Sequence, residues 1–432
     1  MPLETQSPPT ARCRYCGAEV SPGAEQCPSC GRLTSGQSAK VTLAITLLLI
    51  LAGLVLTQYF VKLHRVTEQG LAQRWFNRGE EAMQANLPRF AAEAFRTALN
   101  YDRENSEYRL RLAQALLAEN RLAEARAHLL SLWEEEPADG EVNLTLARLE
   151  ARRGHYNEAL RYYNNAINGV WDDHPRKQRT AARFELARYL MELQKWPRAQ
   201  AELLALLADA PSDPGDQLLL GQMLLMVNEP AHALQAYDAL LAKNPDNAQA
   251  WMGEGQANLA LGNYTEAERD SDKAVEHDPN LEGARQQLEL TRELLRISPG
   301  LRGLSLSDRA DRVATAFRAA FTRLSSCASE RNIDLSGPTS LPPDIAAKGV
   351  TPGAEVTRPA ASPNELQLLY TSGLEKQADA TAIALRKNPD ALEPIMQYVF
   401  EVERTTAPLC PNMDVTDRAL LILAQHESET MK

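Results

Sequence analysis

Side chains that carry catalytic chemistry are sparse in this chain of 432 residues. Its seven histidines, His64, His128, His155, His174, His232, His277 and His426, are scattered, with no His-Glu-x-x-His pair and no second metal-ligand cluster. There is no Gly-rich phosphate loop and no dinucleotide fingerprint, and the run Glu134, Glu135, Glu136 reads as a solvated helix end. These absences argue against an enzyme. Positive charge is short too: 46 Lys and Arg face 57 Asp and Glu, a net charge of −11, which disfavours a nucleic-acid groove. Aromatic residues make up only 6%. What abounds is Ala, Leu, Arg and Glu, a helix-forming mixture. Two Asn-x-Thr triplets, at Asn143 and Asn263, fall in helical or turn sequence and read as coincidental.

Cysteine is also rare, at six residues, yet four crowd into the first thirty as Cys13-x2-Cys16-Gly17 and Cys27-Pro28-Ser29-Cys30-Gly31. A two-residue spacer lets a tight turn aim both sulfurs the same way, so two such pairs can converge on one tetrahedral ion. Only ten residues separate the pairs, fewer than the usual spacing, so the unit must be a very short hairpin whose core is the metal itself. Ser21, Pro22 and Gly23 supply its turn. The cysteines alone leave a rubredoxin-like iron site, or two disulfides in an oxidising compartment, as alternatives to zinc. The stretch from Cys13 to Leu33 resembles the small zinc ribbon at the N-terminus of many bacterial membrane proteins. That resemblance implies structural Zn2+ held by Cys13, Cys16, Cys27 and Cys30, with no open position for catalysis, in a domain spanning 1–36.

Between Lys40 and Lys62 lie 21 residues without a formal charge, 41–61. As a helix they reach roughly 31 Å, enough for a bilayer core. The run is too long, and begins too late, for a cleaved signal peptide. Leu51-Ala52-Gly53 resembles a lipoprotein cleavage box, but Leu54 follows it, so no lipid anchor is expected. The expectation is a single-pass protein of the cytoplasmic membrane. Flanking Lys and Arg favour a cytoplasmic C-terminal part, whereas four metal-binding thiolates are safest in a reducing cytosol, and long domains translocate regardless of flanking charge. We expect the ribbon in the cytoplasm and the bulk outside it. That bulk carries 42 basic against 54 acidic residues.

A 34-residue period organises the next region, with units starting near 72, 106, 140, 180, 214 and 248. The third unit is six residues longer, its insertion falling around VWDDHPRKQR, which should extend a helix or loop before the fourth. The first unit shows Trp75, Gly79, Ala91, Phe95 and Ala98; the third Ala147, Gly154, Tyr156, Ala159, Tyr163 and Ala166; the sixth Trp251, Gly255, Gly262, Tyr264, Ala267, Ala274 and Pro279. Pro137, Pro211, Pro245 and Pro279 recur at the closing position. Arg109 at an apolar position and Ser271 at an aromatic one are departures. This pattern resembles the tetratricopeptide repeat, implying a mainly α, α-solenoid fold of about six helix-turn-helix units over 72–281, with a capping helix over 282–300.

In that family the groove is lined by the first helix of each unit. Here the fifth positions are Phe76, Leu110, Leu144, Phe184, Leu218 and Met252. On the same face, at the twelfth, come Met83, Leu117, Ala151, Met191, Leu225 and Leu259; the ninth holds Glu80, Gln114, Arg148, Arg188, Gln222 and Gln256. The Lys and Asn that clamp a carboxylate tail in some members are missing. Two readings remain. The apolar residues complete the repeat core, or they form a groove for a helix or apolar peptide, with Arg148 and Arg188 as polar anchors. The occupant is then another protein or this chain's own C-terminal helices.

Beyond 300 the repeat signal ends, in a region 301–432. Ser307 or Asp308 is expected to cap a helix with the stripe Ala310, Val313, Phe317, Ala320, Phe321, Leu324 and Cys327. Residues 336–363 hold six Pro and three Gly, the composition of a flexible loop. Helices are expected near 364–387, 390–404 and 415–427. Cys327 and Cys410 are candidates for a disulfide worth roughly 4 kcal/mol in the chain-entropy model; two buried unpaired thiols are the alternative. Together these features predict a membrane-anchored interaction scaffold or adaptor with protein partners. The competing reading is a regulatory or sensor protein whose ribbon contacts a cytosolic partner or nucleic acid.

Overall fold

The structure, a computed structural model, describes residues 11–22, 24–32, 35–335 and 363–430. The expected flexible loop, apart from Pro363, lies outside the described residues, as does Gly23 of the expected ribbon turn. The chain divides into two compact units, Met1–Pro175 and Arg176–Lys432.

The first unit opens with a two-stranded antiparallel ribbon, β1 (Ala11–Arg12) and β2 (Glu19–Val20), pairing Ala11 with Val20 and Arg12 with Glu19. Helix α1 (Ser35–Gln84) then runs unbroken for 50 residues. It contains both the uncharged run and the first helix of the first repeat, because Lys62–Leu71 holds no Pro and its Gly70 stays helical. From Thr42 onward it is long and apolar enough, by length and composition, to cross a bilayer, and no side chain of its apolar window is buried. Burial begins at Ala72, where α2 (Pro88–Tyr101) folds back. The second and third pairs follow as α3 (Ser106–Ala118) with α4 (Leu122–Glu135) and α5 (Gly140–Arg152) with α6 (Tyr156–Asn168).

The second unit contains three more pairs: α7 (Pro175–Glu192) with α8 (Trp196–Asp209), α9 (Pro214–Met226) with α10 (Pro230–Leu241), and α11 (Ala248–Ala260) with α12 (Tyr264–His277).

The same local chemistry builds every pair. Each intra-pair turn contains one left-handed residue, Asn86, Asn120, Gly154, Gln194, Asn228 or Gly262, a conformation that Gly and Asn tolerate best. The N–H of the next residue reaches back to a carbonyl five residues earlier, as in Arg121 to Leu116 at 2.9 Å and Asn263 to Asn258 at 2.9 Å. Asn105, Asp139, Asp213 and Asn247 cap the first helices of pairs two, three, five and six by accepting backbone N–H bonds of 2.8–3.2 Å. Within pairs, missing side chains set the spacing: a Cβ on Gly79 would lie 2.4 Å from the Phe95 ring, and one on Gly221 2.5 Å from Tyr237. Ser271, small where the repeat pattern expects an aromatic, is fully buried and donates to the Ala267 carbonyl at 2.6 Å.

The insertion does two things. Val170 pairs in parallel with Asp139, exchanging N–H···O bonds of 2.8 Å with Gly140 and Ala138, while the Trp171 indole donates to the Ala166 carbonyl at 2.9 Å. The remaining residues lengthen α7 to 18 residues.

Helix α13 (Glu282–Ile297) follows, then α14 (Leu306–Glu330), α15 (Pro363–Lys376), α16 (Ala382–Lys387), α17 (Leu392–Thr406) and α18 (Val415–Thr430). The helix expected over 364–387 is interrupted because Thr381 starts a new one, accepting from the Ala384 N–H at 3.3 Å. The cap of α14 is Ser305 and not Ser307 or Asp308: its hydroxyl accepts from the Asp308 N–H at 3.1 Å, and the Asp308 carboxylate accepts in return from the Ser305 N–H at 3.3 Å. The expected α14 stripe is buried apart from a partly exposed Phe321, and it shares one core with Leu294 and Ile297 of α13 and with α16, α17 and α18. Leu259 and Tyr264 of the last pair pack against that core, and the Tyr264 hydroxyl lies 2.6 Å from Nδ1 of His426.

Candidate functional site

Four sulfurs dominate the N-terminal ribbon. Each Cys-x2-Cys-Gly turn is built alike: the N–H of Gly17 donates to the Cys13 carbonyl at 2.9 Å and that of Gly31 to the Cys27 carbonyl at 2.8 Å, with both glycines left-handed. The turns face one another so that Sγ of Cys13 lies 3.8 Å from Cys30 and Sγ of Cys16 lies 3.5 Å from Cys27, all four falling within 4.8 Å of one another. A tetrahedral ion with bonds of about 2.3 Å holds its sulfurs roughly 3.8 Å apart, so the four thiols lie close to the spacing that one metal ion requires. Backbone N–H groups of Tyr15 and Cys16 push the Cys13 thiol down to about 6, and that of Ser29 lowers Cys27. Thiolate, the form a metal binds, is thereby favoured at both positions.

In the first unit the first-helix face is polar. Arg111 of α3 lies 3.6 Å from Glu80 of α1 and 2.8 Å from Glu141 of α5, while the Gln114 amide donates to Glu141 at 3.0 Å. The apolar residues expected to line a groove lie beneath this ladder. Phe76, Leu110, Leu117 and Leu144 are buried, Met83 is half-buried and Arg148 is exposed. Phe76 stacks on Tyr108 with centroids 4.8 Å apart.

The corresponding face of the second unit differs. Phe184 and Met191 of α7 are buried and Arg188 is exposed, but Leu218, Leu225, Met252 and Leu259 are half-buried, and Met226 is 67% exposed. Leu259 is the member already engaged by the C-terminal core.

Cys327 of α14 and Cys410, which follows α17, form a disulfide with Cα atoms 5.8 Å apart. Beside it lies a charged network with no obvious sequence signal. Arg323 is buried and donates to Asp417 at 2.9 Å, to Thr406 Oγ1 at 3.0 Å and to the Cys410 carbonyl at 2.7 Å, with Glu403 3.3 Å away. Glu403 is completely buried, and burial pushes its carboxyl up to about 8. Only the position of Arg323 inside an apolar stripe hints, in the sequence, at a buried partner.

Two family models, each described as tetratricopeptide repeat, match residues 82–149 and 218–282. The matched stretches are tetratricopeptide repeats, and the fold as a whole is a helical solenoid of that type. Among solved structures, the repeats resemble YrrB, described as a TPR protein with an unusual peptide-binding site, at 20% identity over 45% of this chain and 97% of that one, with a TM-score of 0.34. PilW, described as a type IV pilus biogenesis factor, matches at 18% identity over 50% of this chain and 98% of its own, with a TM-score of 0.37. Pseudomonas aeruginosa pilF matches at 15% identity over 51% and 97%, with a TM-score of 0.36. No curated protein matches the chain.

Proposed function

We propose that this protein is a single-pass scaffold of the cytoplasmic membrane: a structural zinc ribbon on the cytosolic side, one span within α1, and tetratricopeptide repeats outside that dock protein partners. The observation that carries this reading is the opposite cysteine chemistry on either side of α1. Four free thiols cluster before it and a disulfide lies beyond it. Thiolate metal sites belong in reducing compartments and disulfides in oxidising ones, so a span between them reconciles both. The closed set of four sulfur donors suits zinc or iron alike, and the resemblance to bacterial zinc ribbons favours zinc.

A membrane-impermeant thiol reagent applied to intact cells, before and after reduction, tests the topology. Labelling confined to Cys327 and Cys410, and only after reduction, is expected; labelling of the ribbon cysteines in intact cells would reverse the orientation. Elemental analysis should return one zinc per chain, and stoichiometric iron would reassign the metal.

The docking face belongs to the second unit, where Leu218, Leu225, Met226 and Met252 remain accessible to a helix or extended apolar peptide. Leu225→Asp with Met226→Asp should remove co-purifying proteins from membrane extracts while leaving the melting temperature within a few degrees. Unchanged partner recovery from the double variant sinks the assignment of this face.

A further inference from the structure

Past the uncharged run, α1 continues over Lys62–Leu71 before Ala72 begins the packed part of the first repeat. From Lys62 to Gln69 the apolar residues are Leu63 and Val66 alone, and both stand open, 48% and 58% exposed. They prolong a line that starts within the run: Ala52, Leu56, Tyr59, Leu63, Val66 and Gly70 follow one another at alternating steps of four and three. That spacing is the seven-residue pattern of a helix packed lengthwise against another, and it turns His64, Arg65 and Glu68 away from the seam. Inside the uncharged run any line would be apolar. The polar stretch beyond it singles out this one.

Glycine supplies a second, independent observation. Gly53, next to Ala52, and Gly70, on the line itself, are interior to α1, where glycine weakens a helix. A Cβ on either would meet no atom of this chain within 4 Å. Other helix-interior glycines are unlike them: at Gly79, Gly221, Gly253 and Gly255 a Cβ would lie 2.3–2.5 Å from a neighbouring side chain, so the fold requires each. The room left at Gly53 and Gly70 therefore serves a neighbour outside the chain.

We propose that this neighbour is α1 of a second copy, packed along the same line in parallel and in register. The pairing rests on the membrane span proposed above, because a bilayer holds the uncharged runs of both copies at one depth and sets each residue of the line opposite its own counterpart. Leu63 then meets Leu63 and Val66 meets Val66. Gly70 opposite Gly70 lets the backbones approach closely, as small residues do between paired membrane helices. No charge lies on the seam, and Lys62 beside it faces Thr67 of the second copy, not another lysine. A helix from a different protein would have to bring small residues to the same two depths, which a second copy does by identity. Lipid does not substitute, since Val66 stands about 6 Å past Lys62 along the axis, beyond the acyl chains.

The test places single cysteines in the full-length protein in its own membranes and measures disulfide-linked dimer after mild oxidation, with the unsubstituted chain and its native thiols as baseline. Leu63→Cys, Val66→Cys and Gly70→Cys should give dimer several-fold above that baseline, and Arg65→Cys and Glu68→Cys should not exceed it. Adding Gly70→Leu to Val66→Cys should cut the yield several-fold while leaving the melting temperature of the repeats unchanged, because no atom of the chain itself touches that position. Equal yield at all five sites means chance collision and overturns the pairing. So does no dimer above baseline, as expected if lipid or another protein covers the line, or a yield indifferent to Gly70→Leu. Alkaline carbonate separates the two levels of the reading: release of the chain from membranes removes the span and the pairing with it, whereas retention with flat cross-linking overturns the pairing alone.

Discussion

The two units use the same repeat yet present opposite chemistry on their first helices. In the first, Arg111 links Glu80 and Glu141 into a ladder that crosses three helices; in the second, Leu218, Leu225 and Met226 leave an apolar face. The fifth and twelfth positions are similarly apolar in both units and do not create the difference. What lies over those positions does: Glu80, Arg111 and Glu141 pair across the first unit, whereas in the second Leu218, Leu225 and Met252 are half-buried and Met226 is exposed. Gly253 is required in the second unit because a Cβ would lie 2.3 Å from the Tyr237 ring. A repeat scaffold can therefore keep the apolar pattern of its first helices and still present different surfaces.

The second unit also holds a buried ion-pair network, centred on Arg323. Arg323→Ala tests this most severely, since it removes the cation paired with the largely buried Asp417 and leaves the protonated Glu403 beside it without that partner. A loss of about 3–5 kcal/mol is expected, confined to the second unit. Hydrogen exchange resolved by segment checks it, and equal deprotection of α3 and α5 would break the distinction between the units.

Next in size is a pH effect. Burial raises the Glu403 carboxyl to about 8, so the folded protein holds that proton more tightly than the unfolded chain does. Its contribution to stability is complete below the unfolded value near 4.5 and is lost as pH rises towards about 8. Denaturant titrations across that window should show the second unit weakening, by a few kcal/mol at most, and Glu403→Gln should flatten the trend. An undiminished slope in that variant would place the titration elsewhere.

The smallest effect is expected from Arg111→Ala. Its partners are partly exposed, so about 1 kcal/mol or less should be lost from the first unit, diminishing with added salt. Proteins that co-purify through Leu225 and Met226 should be retained. If Arg111→Ala releases them as well, the polar ladder shares in docking and the contrast between the faces is less sharp than their chemistry suggests.

Much of this organisation is legible in the amino-acid sequence. Paired cysteines two residues apart, an uncharged run of 21 residues and small and aromatic residues at a 34-residue period each point to one local geometry, because turns, spans and helix pairs depend on near neighbours. The recurring Asn or Asp before the first helices is an equally local signal that the apolar period does not reveal, although Asn105, Asp139, Asp213 and Asn247 keep the phase of their units. At the start of α14, residue type alone does not separate Ser305 from Ser307 and Asp308, since each can cap a helix; only the reciprocal bonds of Ser305 and Asp308 decide between them.

Sequence by itself determined the helical repeat class, the thiol pairs able to converge on one ion and a segment apolar enough to span a bilayer, since each is governed by residues within a few turns of one another. Tertiary structure decided that the chain passes from that segment into the first repeat without a break, that Cys327 meets Cys410, and that Arg323 finds carboxylates 80 and 94 residues away. It also decided which apolar positions are covered and which remain open. Spacing along a chain specifies what one helix presents on each face; only packing specifies what lies opposite it.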